Sequence, residues 1–269
     1  SETVIDNKLF EVIEEIICSK DIKRDLFKKR DLFSKKIREY EIIDFKFLDI
    51  LKHFIKSFGD VFYKNYKPSV WIEKTTSTEI YAQELLKLFP KAKFIHILRD
   101  PRDNWASLLS GWDKNYANVY DSKKRLLQSL IDRGRLGMEF ARANLEIIGS
   151  KQYKIIKYEE LTSNPEANIK DLAKFIGIPF NDNLLTPTIF GIPWLGNNFD
   201  GVKTLRPSNI NVAKWRSRIE NFDAQIIEFH FEEIMSHFGY DLFFSKSETQ
   251  KSASEHYKWF NFSTEYSDK

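Results

Sequence analysis

The chain holds 269 residues, with 42 Lys and Arg against 39 Asp and Glu, a net charge of +3, and 42% hydrophobic residues. That length suits one large α/β domain or a domain with a helical insert, and the near-neutral balance excludes a bulk nucleic-acid binder, so an anion site has to be a local cluster. The single cysteine, Cys18, excludes an internal disulfide framework and a cysteine-based zinc site and reads as a small buried hydrophobe in a reducing compartment.

No apolar run approaches the ~18 residues of a membrane span. The opening Ser1-Glu2-Thr3-Val4-Ile5-Asp6 lacks the basic-then-apolar order of a signal peptide, which sets a cytoplasmic expectation. Because the chain does not open on Met, it is expected to start inside a longer parent. Residues 4–56 read as helical, with Ile5, Leu9, Ile13 and Ile16 at helical spacing and an amphipathic stretch over 42–56. Residues 20–38 carry nine Lys or Arg and three Asp, and Arg24-Asp25-Leu26-Phe27 is echoed at Arg30-Asp31-Leu32-Phe33. The run reads as a solvated helical face or, alternatively, as a basic wall for an acidic acceptor.

Beyond residue 68 the pattern changes. Ser69–Glu73 predicts a short strand, Tyr81, Leu85 and Leu88 a helix ending near Pro90, and Lys93–Leu98 an apolar strand. Helices are expected over 101–110 and 122–147, and a third strand over Tyr153–Tyr158. Asn164-Pro165-Glu166 starts a helix that buries Ile169, Leu172, Ala173 and Ile176 and stops at Gly177. Residues 181–215 are loop-rich. Ile227, Phe231, Ile234 and Phe238 mark the last long helix, ended by Gly239, and the Ser/Lys-rich tail from Phe244 is expected to be extended or loosely docked. Strands alternating with helices predict a parallel sheet covered on both faces, with ligands at the carboxyl ends of its strands.

The strongest local signal follows the second strand, where Phe94–Leu98 runs directly into Arg99-Asp100-Pro101-Arg102-Asp103 and on to Ser107. Pro101 suits a first helical turn, Asp103 and Ser107 share a helix face, and a strand-end arginine presents a fork of donors that suits phosphate, although such arginines also serve as carboxylate partners. The five histidines are scattered, and no His or carboxylate cluster has metal-ligand spacing, so no metal is expected.

Taken in order, Trp71–Ser107, Ile156-Lys157-Tyr158-Glu159-Glu160-Leu161, Asn164-Pro165-Glu166, Phe175-Ile176-Gly177, Lys214-Trp215 and Gly239-Tyr240-Asp241 resemble the sulfotransferases of bacterial and tyrosylprotein type, which use 3′-phosphoadenosine-5′-phosphosulfate (PAPS). The resemblance spans roughly residues 69–241. It implies a P-loop nucleotide-hydrolase-like α/β fold, with 1–269 as one domain: a helical acceptor-side region over 1–68, a nucleotide-binding core over 69–241 and a tail over 242–269. By the resemblance, Arg99 and Ser107 bind the 3′-phosphate, Tyr158 lies near the adenine, and Lys214 reaches the 3′-phosphate from a late loop whose lid is 196–201. The resemblance likewise implies that Lys74, in Glu73-Lys74-Thr75 with Thr76 where proline is usual, sits near the sulfuryl acceptor, and that Glu2 of Ser1-Glu2-Thr3 is the general base.

The implied reaction gives adenosine 3′,5′-bisphosphate and a sulfated small-molecule, carbohydrate or peptide acceptor. The departure is the Gly-rich 5′-phosphosulfate loop, for which no counterpart is read in the sequence and whose natural place is upstream of Ser1. Two alternatives stay open: a nucleotide kinase of the related phosphate-binding-loop architecture, which needs a Gly-x-x-x-x-Gly-Lys-Ser/Thr loop, and a non-catalytic nucleotide-binding protein of this fold.

Overall fold

The computed structural model describes residues 32–33, 35–36, 47–62, 70–189, 192–193, 204 and 206–259. The chain divides into two compact units, Ser1–Thr75 and Thr76–Lys269. The expected helical run at 4–31 lies outside the described residues.

In the first unit, helix α1 (Phe47–Phe62) runs further than the pattern over 42–56 suggests, and residues 42–46 lie outside the described residues. Its interior is aromatic. Phe33, 1% exposed, meets the rings of Phe54 and Phe58 edge-on at 5.3 and 5.9 Å, and Trp71 meets Phe58 at 5.4 Å. The second copy of the Arg-Asp-Leu-Phe echo thus donates its phenylalanine to a core, while Lys36 pairs with Asp60 at 2.9 Å on the flank. The strand expected over Ser69–Glu73 is absent: residues 70–73 form no ladder, and Val70, Trp71 and Ile72 are exposed. β-branched and aromatic composition favours a strand only where a partner accepts its backbone hydrogen bonds, and this run has none among the described residues.

The second unit is α/β. After a 3₁₀ turn (Thr78–Tyr81) and helix α2 (Ala82–Leu88), strand β1 (Phe94–Leu98) pairs in parallel with β2 (Tyr153–Lys157), Phe94 opposite Tyr153 and Leu98 opposite Lys157. The crossover holds α3 (Pro101–Ser110), a π-helical turn (Trp112–Tyr116) and the long α4 (Lys123–Ile148). Then come α5 (Tyr158–Ser163), α6 (Pro165–Ile176), a 3₁₀ turn (Asp182–Leu185), a two-residue hairpin of β3 (Thr188–Ile189) and β4 (Ile192–Pro193), a 3₁₀ turn (Asn209–Asn211), the single turn α7 (Trp215–Arg218), and α8 (Asn221–His237). Helix α5 is unforeseen by the periodicity, which carries the third strand through Tyr158.

The core lies between β1, α3, α4 and α8, and includes Leu98, Trp105, Leu127, Ile131, Ile227 and Phe231. Gly134 on α4 permits the approach of α8, since a Cβ there would sit 3.3 Å from the Phe231 ring. Buried Asn144 ties α4 to the preceding 3₁₀ turn by donating to the Glu79 carbonyl at 2.8 Å.

Over its described residues, which end at 259, the tail is neither extended nor loose. Residues Lys246–Tyr257 form helix α9, which packs on α8 through Thr249, Ser252, Ala253 and His256. Ser245 and Glu248 make a reciprocal capping box, which satisfies helix N–H groups that otherwise have no partner. The buried face is built of small and polar side chains, so the apolar periodicity that marks other helices is missing here.

Candidate functional site

Parallel pairing in register makes Arg99 and Tyr158 the first residues past two adjacent strand ends. The Arg99 guanidinium lies 4.7 Å from the centre of the Tyr158 ring, and its Nη2 donates to the Asn211 carbonyl at 3.0 Å. Its Nε is buried and has no hydrogen-bond partner among the described residues. An unmet buried donor of this kind costs roughly 1–3 kcal/mol, a cost that an anionic acceptor relieves. Asp100 caps α3, accepting from the Arg102 N–H at 2.8 Å, and Pro101 occupies the first turn. Arg99 therefore stands beside a helix N-terminus, where the helix dipole favours negative charge.

Helix α3 reaches across to a late segment. Asp103, 1% exposed, accepts from the Ala213 N–H at 2.7 Å and the Trp215 N–H at 2.9 Å, and so brackets Lys214. Burial pushes the Asp103 carboxyl above the ordinary carboxylate range, against the two backbone donors that pull it down. Ser107 follows Asp103 by one helical turn and is half-buried. Lys214 is half-buried at the start of α7, while the Trp215 side chain is core.

Beneath this lies a buried ionic cluster. Arg102 donates to Asp100 Oδ1 and Oδ2 at 3.0 and 2.7 Å and to Glu228 of α8, and it lies over the Trp215 ring at 4.3 Å. Glu159, next to Tyr158, accepts from the Asp100 N–H at 2.9 Å and the Tyr240 hydroxyl at 3.2 Å. Burial, with Glu159 alongside, drives the Tyr240 hydroxyl far above its usual range. Lys157 donates to the Gly239 carbonyl at 3.2 Å, at a glycine whose φ of 67° ends α8.

Arg99 and Tyr158 come together, and Asp103 connects the helix of Ser107 to the backbone around Lys214. Lys74 is exposed and belongs to the first unit. Glu2 and the lid segment 196–201 lie outside the described residues. Sequence reasoning assigned no part to Asn211, Arg102, Glu228 or the Asp103 carboxylate. For Asp103 the four-residue spacing to Ser107 was a signal, whereas the partners more than a hundred residues away left no local trace. Among the described residues no group of three or more His, Cys, Asp or Glu could hold a metal ion, and no helix is long and apolar enough to cross a membrane.

The model of the Sulfotransferase family matches residues 12–182. The chain is 25% identical over 141 residues, 50% of its length, to the protein-tyrosine sulfotransferase of Drosophila melanogaster, covering 28% of that protein. It is 27% identical over 118 residues, 41% of its length, to protein-tyrosine sulfotransferase A of Caenorhabditis elegans, covering 27% of it. It is 26% identical over 105 residues, 38% of its length, to carbohydrate sulfotransferase 1 of Rattus norvegicus, covering 25% of it. The chain thus spans between 25% and 28% of the length of these curated relatives. Among solved structures, the sulfotransferase domain from the curacin biosynthetic pathway superposes with a TM-score of 0.53 at 15% identity, over 72% of this chain and 69% of that one. The sulfotransferase domain from the Synechococcus PCC 7002 olefin synthase gives 0.51 at 17% identity, over 83% and 72%. At these identities the structural likeness is one of fold.

Proposed function

The chain belongs to the sulfotransferase family, and we propose that its strand-end site takes PAPS by the 3′-phosphate and base for transfer of the sulfuryl group to a hydroxyl or amine acceptor. The observation that supports this most is Arg99: a strand-end guanidinium against a tyrosine ring, with a buried Nε left unmet. Arg99, Ser107 and Lys214 bind the 3′-phosphate, and Tyr158 faces the adenine. When bound, PAPS supplies a sulfuryl group whose bond to the 5′-phosphate oxygen breaks as the acceptor forms its own bond to sulfur, leaving adenosine 3′,5′-bisphosphate. Glu2 takes the acceptor's proton and Lys74 offsets negative charge on the transferring group, both on the strength of the sequence motifs. The relatives' names, protein-tyrosine and carbohydrate sulfotransferase, favour a peptide or carbohydrate hydroxyl as the acceptor.

Titration calorimetry with adenosine 3′,5′-bisphosphate and with AMP tests the reading. The bisphosphate is expected to bind the more tightly, because only it carries the 3′-phosphate. Equal affinity for the two sinks the assignment.

A further inference from the structure

Asp103 is a buried carboxylate with no ion pair among the described residues; both of its oxygens accept from backbone N–H groups 110 and 112 residues downstream. The donors are Ala213 and Trp215, and the residue between them is Lys214. Ala213 sits at a φ of 59°, in the left-handed region that residues with a Cβ avoid. The same segment is held at a third point, where the Asn211 carbonyl accepts from Arg99. Arg99 and Asp103 thus grip one late segment at three backbone groups and set its path past the strand end.

We propose that Asp103 is a positioning residue, fixing residues 211–215 so that Lys214 is presented to the 3′-phosphate of the donor. The inference rests on the donor reading above. Electrostatics alone predicts the opposite of positioning. A carboxylate near an anion site repels the anion, so neutralising it should tighten binding. If the carboxylate instead holds the segment, neutralising it loosens Lys214 and weakens binding.

The test is a double-mutant cycle on the full chain with Asp103→Asn, Lys214→Ala and both, titrated with adenosine 3′,5′-bisphosphate and with AMP. Asp103→Asn is expected to weaken the bisphosphate about tenfold, in the range for one charge-assisted contact, and to leave AMP unchanged. In the Asp103→Asn background, Lys214→Ala should add little further loss. Unchanged or tighter bisphosphate binding by Asp103→Asn, or losses that multiply in the double variant, overturns the positioning role. A wild-type chain that does not prefer the bisphosphate overturns the donor reading itself and takes this inference with it; that result appears before any variant is made. If Asp103→Asn does not fold, hydrogen exchange on the wild-type chain decides. The Ala213 and Trp215 amides should be protected before ligand is added, and free exchange at both until ligand arrives overturns the proposal.

Discussion

Glu228 closes on Arg102 across 126 residues of sequence, and both side chains are almost fully buried. The same carboxylate accepts from the Phe243 and Phe244 N–H groups, each at 3.0 Å, just before α9 begins. One residue thereby neutralises the arginine behind the strand-end site and anchors the chain's turn into its last helix. A buried pair is expensive to desolvate, but it is more expensive still to break from one side.

Glu228→Ala is therefore expected to lower the unfolding free energy by about 3–5 kcal/mol, because a buried guanidinium loses one of its two carboxylates and two N–H groups lose their acceptor. Urea denaturation at fixed pH measures it. A loss under about 1 kcal/mol would mean that water or a neighbouring group replaces the carboxylate at little cost.

Arg99→Ala separates binding from stability. Adenosine 3′,5′-bisphosphate affinity should fall by roughly 2–4 kcal/mol, the range for removing one side of a desolvated charged pair. The unfolding free energy should change by less than about 1 kcal/mol, since the lost hydrogen bond to the Asn211 carbonyl is offset by removal of a buried Nε that has no partner among the described residues. A large stability loss with unchanged affinity would make Arg99 a structural residue.

His230 of α8 and His256 of α9 meet at 3.2 Å, Nε2 to Nδ1, with Tyr257 and Phe229 against the His230 ring. Burial, then His256 and Arg135, pull the His230 pKa down to about 4, partly opposed by Asp132, and burial lowers His256 as well. A base depressed in the folded state binds fewer protons than the unfolded chain between its folded and unfolded pKa values. These residues therefore cost no stability above about pH 6.5, and stability drains away as the pH falls toward 4. Thermal midpoints from pH 7.5 to 4.5 should drop less steeply in His230→Gln than in wild type. Parallel profiles would rule out the pair as a source of acid sensitivity.

Ser245→Ala removes one half of the capping box on α9, whose other half is the Glu248 carboxylate accepting from the Ser245 N–H at 2.8 Å. The expected cost is about 1 kcal/mol, read from the urea midpoint. An unchanged midpoint would show that α9 is held by its packing on α8 alone.

What the sequence makes legible is what local chemistry specifies. The apolar run ending at Arg99, the proline at the first turn of α3, and the Asn164-Pro165 start with a Gly177 stop each lie within one element, and each appears in the fold where the pattern puts it. The α9 helix escaped because its inward positions, Thr249, Ser252, Ala253 and His256, keep helical spacing without being apolar; Ser245 and Glu248, three residues apart, were the available clue. Residues 70–73 misled in the opposite way, carrying strand composition with no partner strand among the described residues. Asn211, Glu228 and the backbone donors at 213 and 215 were invisible because side chains choose such partners through the folded chain's path, and no spacing encodes them.

The separations around the strand end also order events in time. Arg99 waits for Asn211, 112 residues later, and Arg102 for Glu228, 126 residues later. A ribosome adding about 5–20 residues per second needs on the order of ten seconds to cover that stretch. During that interval the emerging β1, α3, α4 and β2 can already pair and pack, yet the guanidinium groups at their head have no downstream partners. The backbone N–H groups that Asp103 holds do not exist until translation has reached residue 215. A message truncated before the codon for Glu228 yields a product with the β1–β2 strand pair and an Arg102 that keeps Asp100 but lacks its second carboxylate.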